Sequence, residues 1–291
     1  TAYRGESALT ANLAVTTVLT WTTTTTTTTT AAPAWVLAAR SYLCQHRPDA
    51  VRCWGAAAVT QLGVVASRSG WVQLPAEILR VFLGLHHSCG VTATAGTVCW
   101  GANTFGQLGT STAEDRVGLA GAAPVLGASA VKQVAVGSQH TCVLLESSTI
   151  CWGHNGNGEL GIGSVVSQLV PSGGVEALVP VDLGSDVVAS QIVAGDCHTC
   201  AIVRAVGVGW TGGVKCWGCG ARGQLGAGAM ENIGDGVGHM GSALPLINAG
   251  MDAAESVLCV ADYSCYVSVD GGLFCWGTAS WFGGPILRPR R

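Results

Sequence analysis

A histidine, a small hydroxyl residue and a cysteine stand side by side three times in this chain, at His87-Ser88-Cys89, His140-Thr141-Cys142 and His198-Thr199-Cys200. Each trio is followed by a second cysteine that opens a Cys-Trp-Gly phrase. Imidazole and thiol at this spacing can ligate a soft metal, form a base–nucleophile couple, or leave two sulfurs to join as a disulfide. The cysteine pairs number five: Cys44 with Cys53, Cys89 with Cys99, Cys142 with Cys151, Cys200 with Cys216, and Cys265 with Cys275. Tyr42 and Tyr263 replace the histidine in the first and fifth copies. A copy therefore offers at most one histidine and two cysteines, with no consistent fourth ligand, which argues against zinc. No nucleophile or carboxylate pair recurs beside the imidazoles. His87, His140 and His198 are therefore read as structural, each bonding a neighbouring backbone carbonyl, and no catalytic, metal or cofactor residue is assigned.

These residues sit inside a repeat, and the repeat sets the fold. Each good copy starts with a β-like run ending in Gly, such as 131–139 or 187–197. Then come the His-Ser/Thr-Cys trio, a short apolar strand, a turn, and a second apolar strand ending in Cys-Trp-Gly. A Gly-rich turn follows, as in "GANTFGQLGT", "GHNGNGELGIG" and "GCGARGQLGAG". The cysteines of Cys-Trp-Gly are spaced by 46, 52, 65 and 59 residues. Short, β-branched, Gly-bounded segments predict strands, about four in each unit. Placing Cys142 opposite Cys151 sets Val143 against Ile150 and leaves Glu146-Ser147 as a two-residue turn. The same arithmetic puts Pro48-Asp49 at the turn of the first copy and three-residue loops in the second and fifth. Three glycine pairs recur after Cys-Trp-Gly: Gly106 with Gly109, Gly158 with Gly161, and Gly223 with Gly226. They read as tight turns at positive φ, not as a phosphate loop, since no Lys-Ser/Thr follows. Apolar runs on both faces of a strand suit a sheet covered on either side, so the units are expected to stack radially. Trp54, Trp100, Trp152, Trp217 and Trp276 then fill space between units.

Composition narrows the partners. The chain has 291 residues, a formal net charge of -3 and 11% charged residues. An acidic balance argues against a nucleic-acid or anionic-membrane surface. The closing Arg-Pro-Arg-Arg (288–291) reads as a solvated end. Residues 1–38 read as a low-complexity leader or linker built around Thr22 to Thr30, with 8–21 a candidate remnant of a secretory signal. Residues 39–291 hold the repeats. Of the thirteen cysteines, Cys197, Cys219 and Cys259 fall outside the five pairs.

The phrases "VAVGSQHTC…ICWGHNGNGELGIG" and "IVAGDCHTC…KCWGCGARGQLGAG" resemble the regulator of chromosome condensation repeat, in a Cys-rich form, over roughly 41–277. The resemblance implies an all-β β-propeller of ~50-residue repeats, usually of seven blades. Five copies are visible, the last without a clean Gly-Gln-Leu-Gly, so the expectation is part of a larger ring or an atypical one. Facing cysteines in a hairpin come within disulfide reach. One reading is a staple in each blade and an oxidising, extracellular or secretory compartment, each staple worth about 2–3 kcal/mol. The other is reduced cysteines packing as small apolar residues in the cytoplasm.

Three functions stay open on this resemblance. The first is a non-catalytic interaction module that binds a protein or glycan partner through the variable loops 111–130, 164–186 and 229–254. The second is guanine-nucleotide exchange on a small GTPase, and the third is enzyme inhibition. Light sensing through clustered Trp would need Trp where Leu85, Ser138 and Asp196 stand.

Overall fold

The computed structural model describes residues 35–39, 42–47, 50–55, 72–73, 78–92, 96–115, 123–126, 131–171, 174–206, 212–247 and 253–278. Among these residues, seventeen strands group into five antiparallel sheets in chain order. The first sheet holds β1 (Trp35–Ala39), β2 (Tyr42–Arg47), β3 (Ala50–Gly55) and β4 (Val72–Gln73). The second holds β5 (Ile78–Leu83), β6 (His87–Thr92), β7 (Thr97–Gly101) and β8 (Ala123–Leu126). The third holds β9 (Gln133–Val136), β10 (His140–Leu144) and β11 (Thr149–Gly153). The fourth holds β12 (Val187–Ala194), β13 (His198–Ala205) and β14 (Gly213–Gly218), and the fifth holds β15 (Ala254–Val260), β16 (Tyr263–Ser268) and β17 (Leu273–Gly277). Each sheet is one sequence repeat, a blade. β1 crosses the boundary drawn at residue 38 from sequence. The Thr run, the turn Pro48-Asp49 and the Arg-rich end lie outside the described residues.

Cysteine faces cysteine in every hairpin. Cys142 opposes Cys151, Val143 opposes Ile150, and Leu145 donates its N–H to Ser148, closing a turn at Glu146-Ser147. Cys44 opposes Cys53, Cys89 opposes Cys99, Cys200 opposes Cys216 and Cys265 opposes Cys275 in the same way.

Every residue of β10, β11 and β14 is buried, because another blade covers each face. The core is a series of layers between blades. Cys89, Cys99 and Leu108 of the second blade pack on Val134, Val136 and Trp152 of the third. Cys142, Cys151 and Leu160 pack on Ile192, Val203 and Trp217 of the fourth. Val193, Cys200 and Leu225 pack on Val257 and Tyr266 of the fifth. Each fully buried aliphatic side chain contributes about 1.5–3 kcal/mol, so no blade holds its faces without its neighbours.

The expected fourth strand is present in the first two blades only, among the described residues. In the third and fourth it shrinks to single bridges, Gly153↔Gln168 and Gly218↔Ile233. In the third blade Asn155 Nδ2 donates to the carbonyls of Ser164 and Val166, and Val181 N donates to Thr149 O on the outer edge of β11. In the fourth blade Asn232 Oδ1 accepts from Gly220 N, and Ile247 N donates to Val214 O on the outer edge of β14.

Candidate functional site

The three recurring histidines are fully enclosed, and each reaches into the next blade. His87 Nε2 lies 2.7 Å from Thr141 Oγ1, His140 Nε2 lies 3.0 Å from Thr199 Oγ1, and His198 Nε2 lies 2.8 Å from Ser264 Oγ. The hydroxyls point back. Thr141 donates to Gln107 O at 2.7 Å, Thr199 to Glu159 O at 3.0 Å, and Ser264 to Gln224 O at 2.9 Å. The same carbonyls accept Nε1–H from Trp152, Trp217 and Trp276 at 3.0, 3.0 and 2.8 Å. A hydroxyl has one proton, and here the carbonyl receives it. Each imidazole must therefore donate from Nε2, which fixes its tautomer. At each boundary hydroxyl and indole share the turn carbonyl, and the imidazole bonds the hydroxyl.

Burial holds these rings neutral. It lowers His87 to about 3, with His140 nearby adding to the effect. It lowers His140 to about 4 against a partly opposing pull from Glu159, and His198 to about 3. Neutral, buried and bonded across the boundary, the histidines couple blades.

The glycine three residues ahead of each histidine is part of the coupling. A Cβ on Gly137 would stand 2.2 Å from His140 Cε1, and one on Gly195 would stand 2.2 Å from His198 Cε1. The glycine pairs after Cys-Trp-Gly all have positive φ. It is +78° at Gly106 and +77° at Gly109, +81° at Gly158 and +65° at Gly161, and +73° at Gly223 and +67° at Gly226. The second glycine of each pair donates its N–H to the carbonyl of the first: Gly109 to Gly106, Gly161 to Gly158 and Gly226 to Gly223. Turn geometry is only part of their use. A Cβ on Gly161 would meet Trp217 Nε1 at 2.7 Å, and one on Gly226 would meet Trp276 Nε1 at 2.8 Å. These glycines therefore also make room for the indole of the following blade. Across the turns, Ser138 N donates to Asp196 O and Asp196 N to Ala261 O, tying adjacent blades at one rim.

Disulfides join Cys89–Cys99, Cys142–Cys151, Cys200–Cys216 and Cys265–Cys275, with Cα–Cα distances of 4.1, 4.1, 4.1 and 4.0 Å. For Cys44, Cys53 and Trp54 only the backbone is described. A further disulfide, Cys197–Cys219, lies outside the five expected pairs. Cys219 stands where Ala102 and His154 stand in the preceding copies, so the pairing has no repeating signal. Its only sign is that Cys197 and Cys219 flank the trio and the Cys-Trp-Gly of one copy. Cys259 is buried and the one free cysteine among the described residues. Burial pushes its thiol up to about 12. His198, Cys200 and Cys259 place ligand atoms within 4.8 Å of one another, but the disulfide to Cys216 engages the Cys200 sulfur. As they stand, the three do not form a metal site.

The loops after the Gly-rich turns make the surface. Asn103 and Asn155 hold them from inside, donating to Thr112 O and to Ser164 O and Val166 O. Each loop also lies over the neighbouring blade. Leu169 closes on Gly106, and Gly234 and Asp235 close on Gly158. Val165, Val166, Leu169, Met230 and Val237 are nonetheless exposed, Val237 by 97% and Met230 by 72%. His154 pairs with Glu159 and stacks edge-on against Phe105 at 4.6 Å. Arg222 pairs with Asp262 across the next boundary.

The comparisons agree with this architecture. The Regulator of chromosome condensation (RCC1) repeat matches residues 98–144 and 148–202. The probable E3 ubiquitin-protein ligase HERC3 of Homo sapiens is 32% identical over 157 residues, 54% of this chain and 14% of that protein. The ultraviolet-B receptor UVR8 of Arabidopsis thaliana is 28% identical over 241 residues, 79% of this chain and 49% of the receptor. The chain thus spans half or less of these relatives' lengths. In structure it is similar to human WBSCR16, with TM-score 0.61 and 17% identity over 84% of this chain and 62% of that one. It is likewise similar to yeast RCC1 (Prp20), solved bound to Kap60, with TM-score 0.58 and 17% identity over 84% of this chain and 56% of that one. The chain carries RCC1 repeats in its second to fourth blades, and its fold is that of an RCC1-type β-propeller in a Cys-rich form stapled by disulfides.

Proposed function

We propose that the chain is a non-catalytic interaction module that binds a protein partner through the loops after its Gly-rich turns. One observation carries this reading: exposed apolar side chains stand on loops that the fold has already immobilised. A large side chain left in water on a flexible loop loses entropy when it binds. One held in place loses much less. Val166 and Val237 are on loops pinned by Asn155 and by the close approach to Gly158. Exposed apolar side chains gathered on loops of this kind suit protein contacts. The low charge of the chain fits a partner recognised by apolar complementarity more than by steering. The disulfides support maturation in an oxidising compartment, and so an extracellular or secretory partner.

A photo-crosslinking amino acid at Val237 tests this in the cells that make the protein, with Val269 on the β16–β17 turn as the control position. A discrete adduct at Val237 and none at Val269 is the expected result. Loss of that adduct on Val166→Asp, with an unchanged melting temperature, would extend the surface to the neighbouring loop. Equal labelling at both positions would refute the assignment.

A second reading is nucleotide exchange on a small GTPase. Its support is the likeness in fold to yeast Prp20, which has been described with its binding to Gsp1p and histones. Acceleration of guanine-nucleotide release from small GTPases by the oxidised chain would favour it, and an unchanged rate would remove it.

A further inference from the structure

The boundary between the fourth and fifth blades differs from the others by one sulfur. At each boundary the hydroxyl residue of the trio pairs across the ladder with the end of the innermost strand. That partner is Leu83 for Ser88, Val136 for Thr141 and Ala194 for Thr199. For Ser264 it is Cys259. Cys259 is buried in the same apolar layer as Cys200 and Cys216, which belong to the neighbouring blade. Its Sγ lies within 4.8 Å of Cys200 Sγ. Both sulfurs stand over one hydroxyl, Ser264 Oγ, at 3.5 Å from Cys259 and 3.7 Å from Cys200. The Ser264 proton goes to Gln224 O, so Cys259 Sγ–H is the donor to Ser264 Oγ. A free thiol thus faces a disulfide across a blade boundary.

We propose that Cys259 exchanges with the Cys200–Cys216 disulfide, converting a staple within the fourth blade into a covalent bond between the fourth and fifth blades. The step is internally balanced. Cys259 gives up its proton, and its sulfur electron pair forms the Cys259–Cys200 bond. The Cys200–Cys216 bond breaks, its pair leaves on Cys216 Sγ, and Cys216 takes up a proton. No external oxidant or reductant is needed, and one disulfide and one thiol exist before and after. Attack on Cys200 is favoured over attack on Cys216, because Cys200 shares the Ser264 hydroxyl with the incoming sulfur. Burial in an apolar layer keeps the thiolate scarce, so exchange is slow at neutral pH and accelerates with base.

The test uses the intact oxidised protein without reductant, held at about pH 7 and about pH 9.5, then acid-quenched, denatured, capped with a maleimide and mapped. Two species are expected. One has Cys259 capped and Cys200–Cys216 joined, and the other has Cys216 capped and Cys200–Cys259 joined. The second should form about tenfold faster for each pH unit, following the thiolate fraction. Cys259→Ala should abolish capping of Cys216. Capping confined to Cys259 at both pH values would overturn the proposal, and so would Cys216 capping that survives Cys259→Ala. Cys216→Ser supplies an independent measurement. With oxidised glutathione this variant should close Cys200–Cys259, and glutathione adducts on both sulfurs without that bond would rule out the geometry.

Discussion

His140 shows how much of the coupling hangs on single residues. It donates to Thr199 while Gly137 leaves room for its ring, and neither partner tolerates much change. Three such histidines, buried neutral, make stability depend on pH. Their folded values lie below the ordinary 6.5, so on acidification the unfolded chain takes up protons first. Stability is therefore full above about pH 6.5, falls as pH drops towards about 4, and levels off below about 3. Each ring contributes on the order of 3–5 kcal/mol to that loss. The urea midpoint followed across this range checks it, and His140→Gln, which keeps an N–H donor but does not titrate, should remove about a third of the slope. Gly195→Ala should cost about 3 kcal/mol or more, read as a lowered melting temperature, because its Cβ has no place beside His198. At this scale the sequence shows the Gly-x-x-His spacing but not its purpose. The partners of His87, His140 and His198 lie 54, 59 and 66 residues further on. Nothing local to a histidine names a threonine that distant. The same holds for Gly161 and Gly226, whose positive φ is legible as a turn while the indole each one admits belongs to the next blade.

Hairpins are the most legible elements. Their cysteines are spaced so that one register brings sulfur to sulfur, and turn length follows from that spacing. The outermost strands are the least legible, because a loop of variable length separates them from the Cys-Trp-Gly that anchors the register, 56–71 in the first blade and 102–122 in the second. A staple closing a 9-residue separation, as in Cys142–Cys151, should stabilise its blade by about 2.5 kcal/mol. Cys142→Ala/Cys151→Ala should lower the denaturant midpoint accordingly while leaving the strand signal of the circular dichroism spectrum intact. The Cys197–Cys219 bond ties the turn before β13 to the turn after β14. Cys197→Ser/Cys219→Ser should therefore speed proteolysis within the exposed residues 221–222 more than it lowers global stability.

For the whole molecule, all thirteen cysteines bear on one number. Five disulfides are described, and Cys44 faces Cys53 in register in the first blade. If that pair also closes, twelve of thirteen sulfurs are bonded and one thiol remains. Intact mass after alkylation of the denatured, non-reduced protein should show a single adduct. Three or more would mean that whole staples are open. The repeating order of phrases makes the blades visible before any coordinate is known, since a unit that cannot bury both faces must stack.

The direction of the coupling has a consequence for how such chains change over generations. The second, third and fourth blades each extend an imidazole forward and receive an indole and a hydroxyl on their own turn carbonyl, and the two sides are not interchangeable. A gene segment encoding one full unit of this kind can thus be duplicated or lost among these blades, and the severed ends will still match, like links of one gauge. A segment cut out of phase would leave a proton donor facing a donor. Selection can therefore lengthen or shorten such an array in whole units, and the loops on its rim can diversify without disturbing the joints.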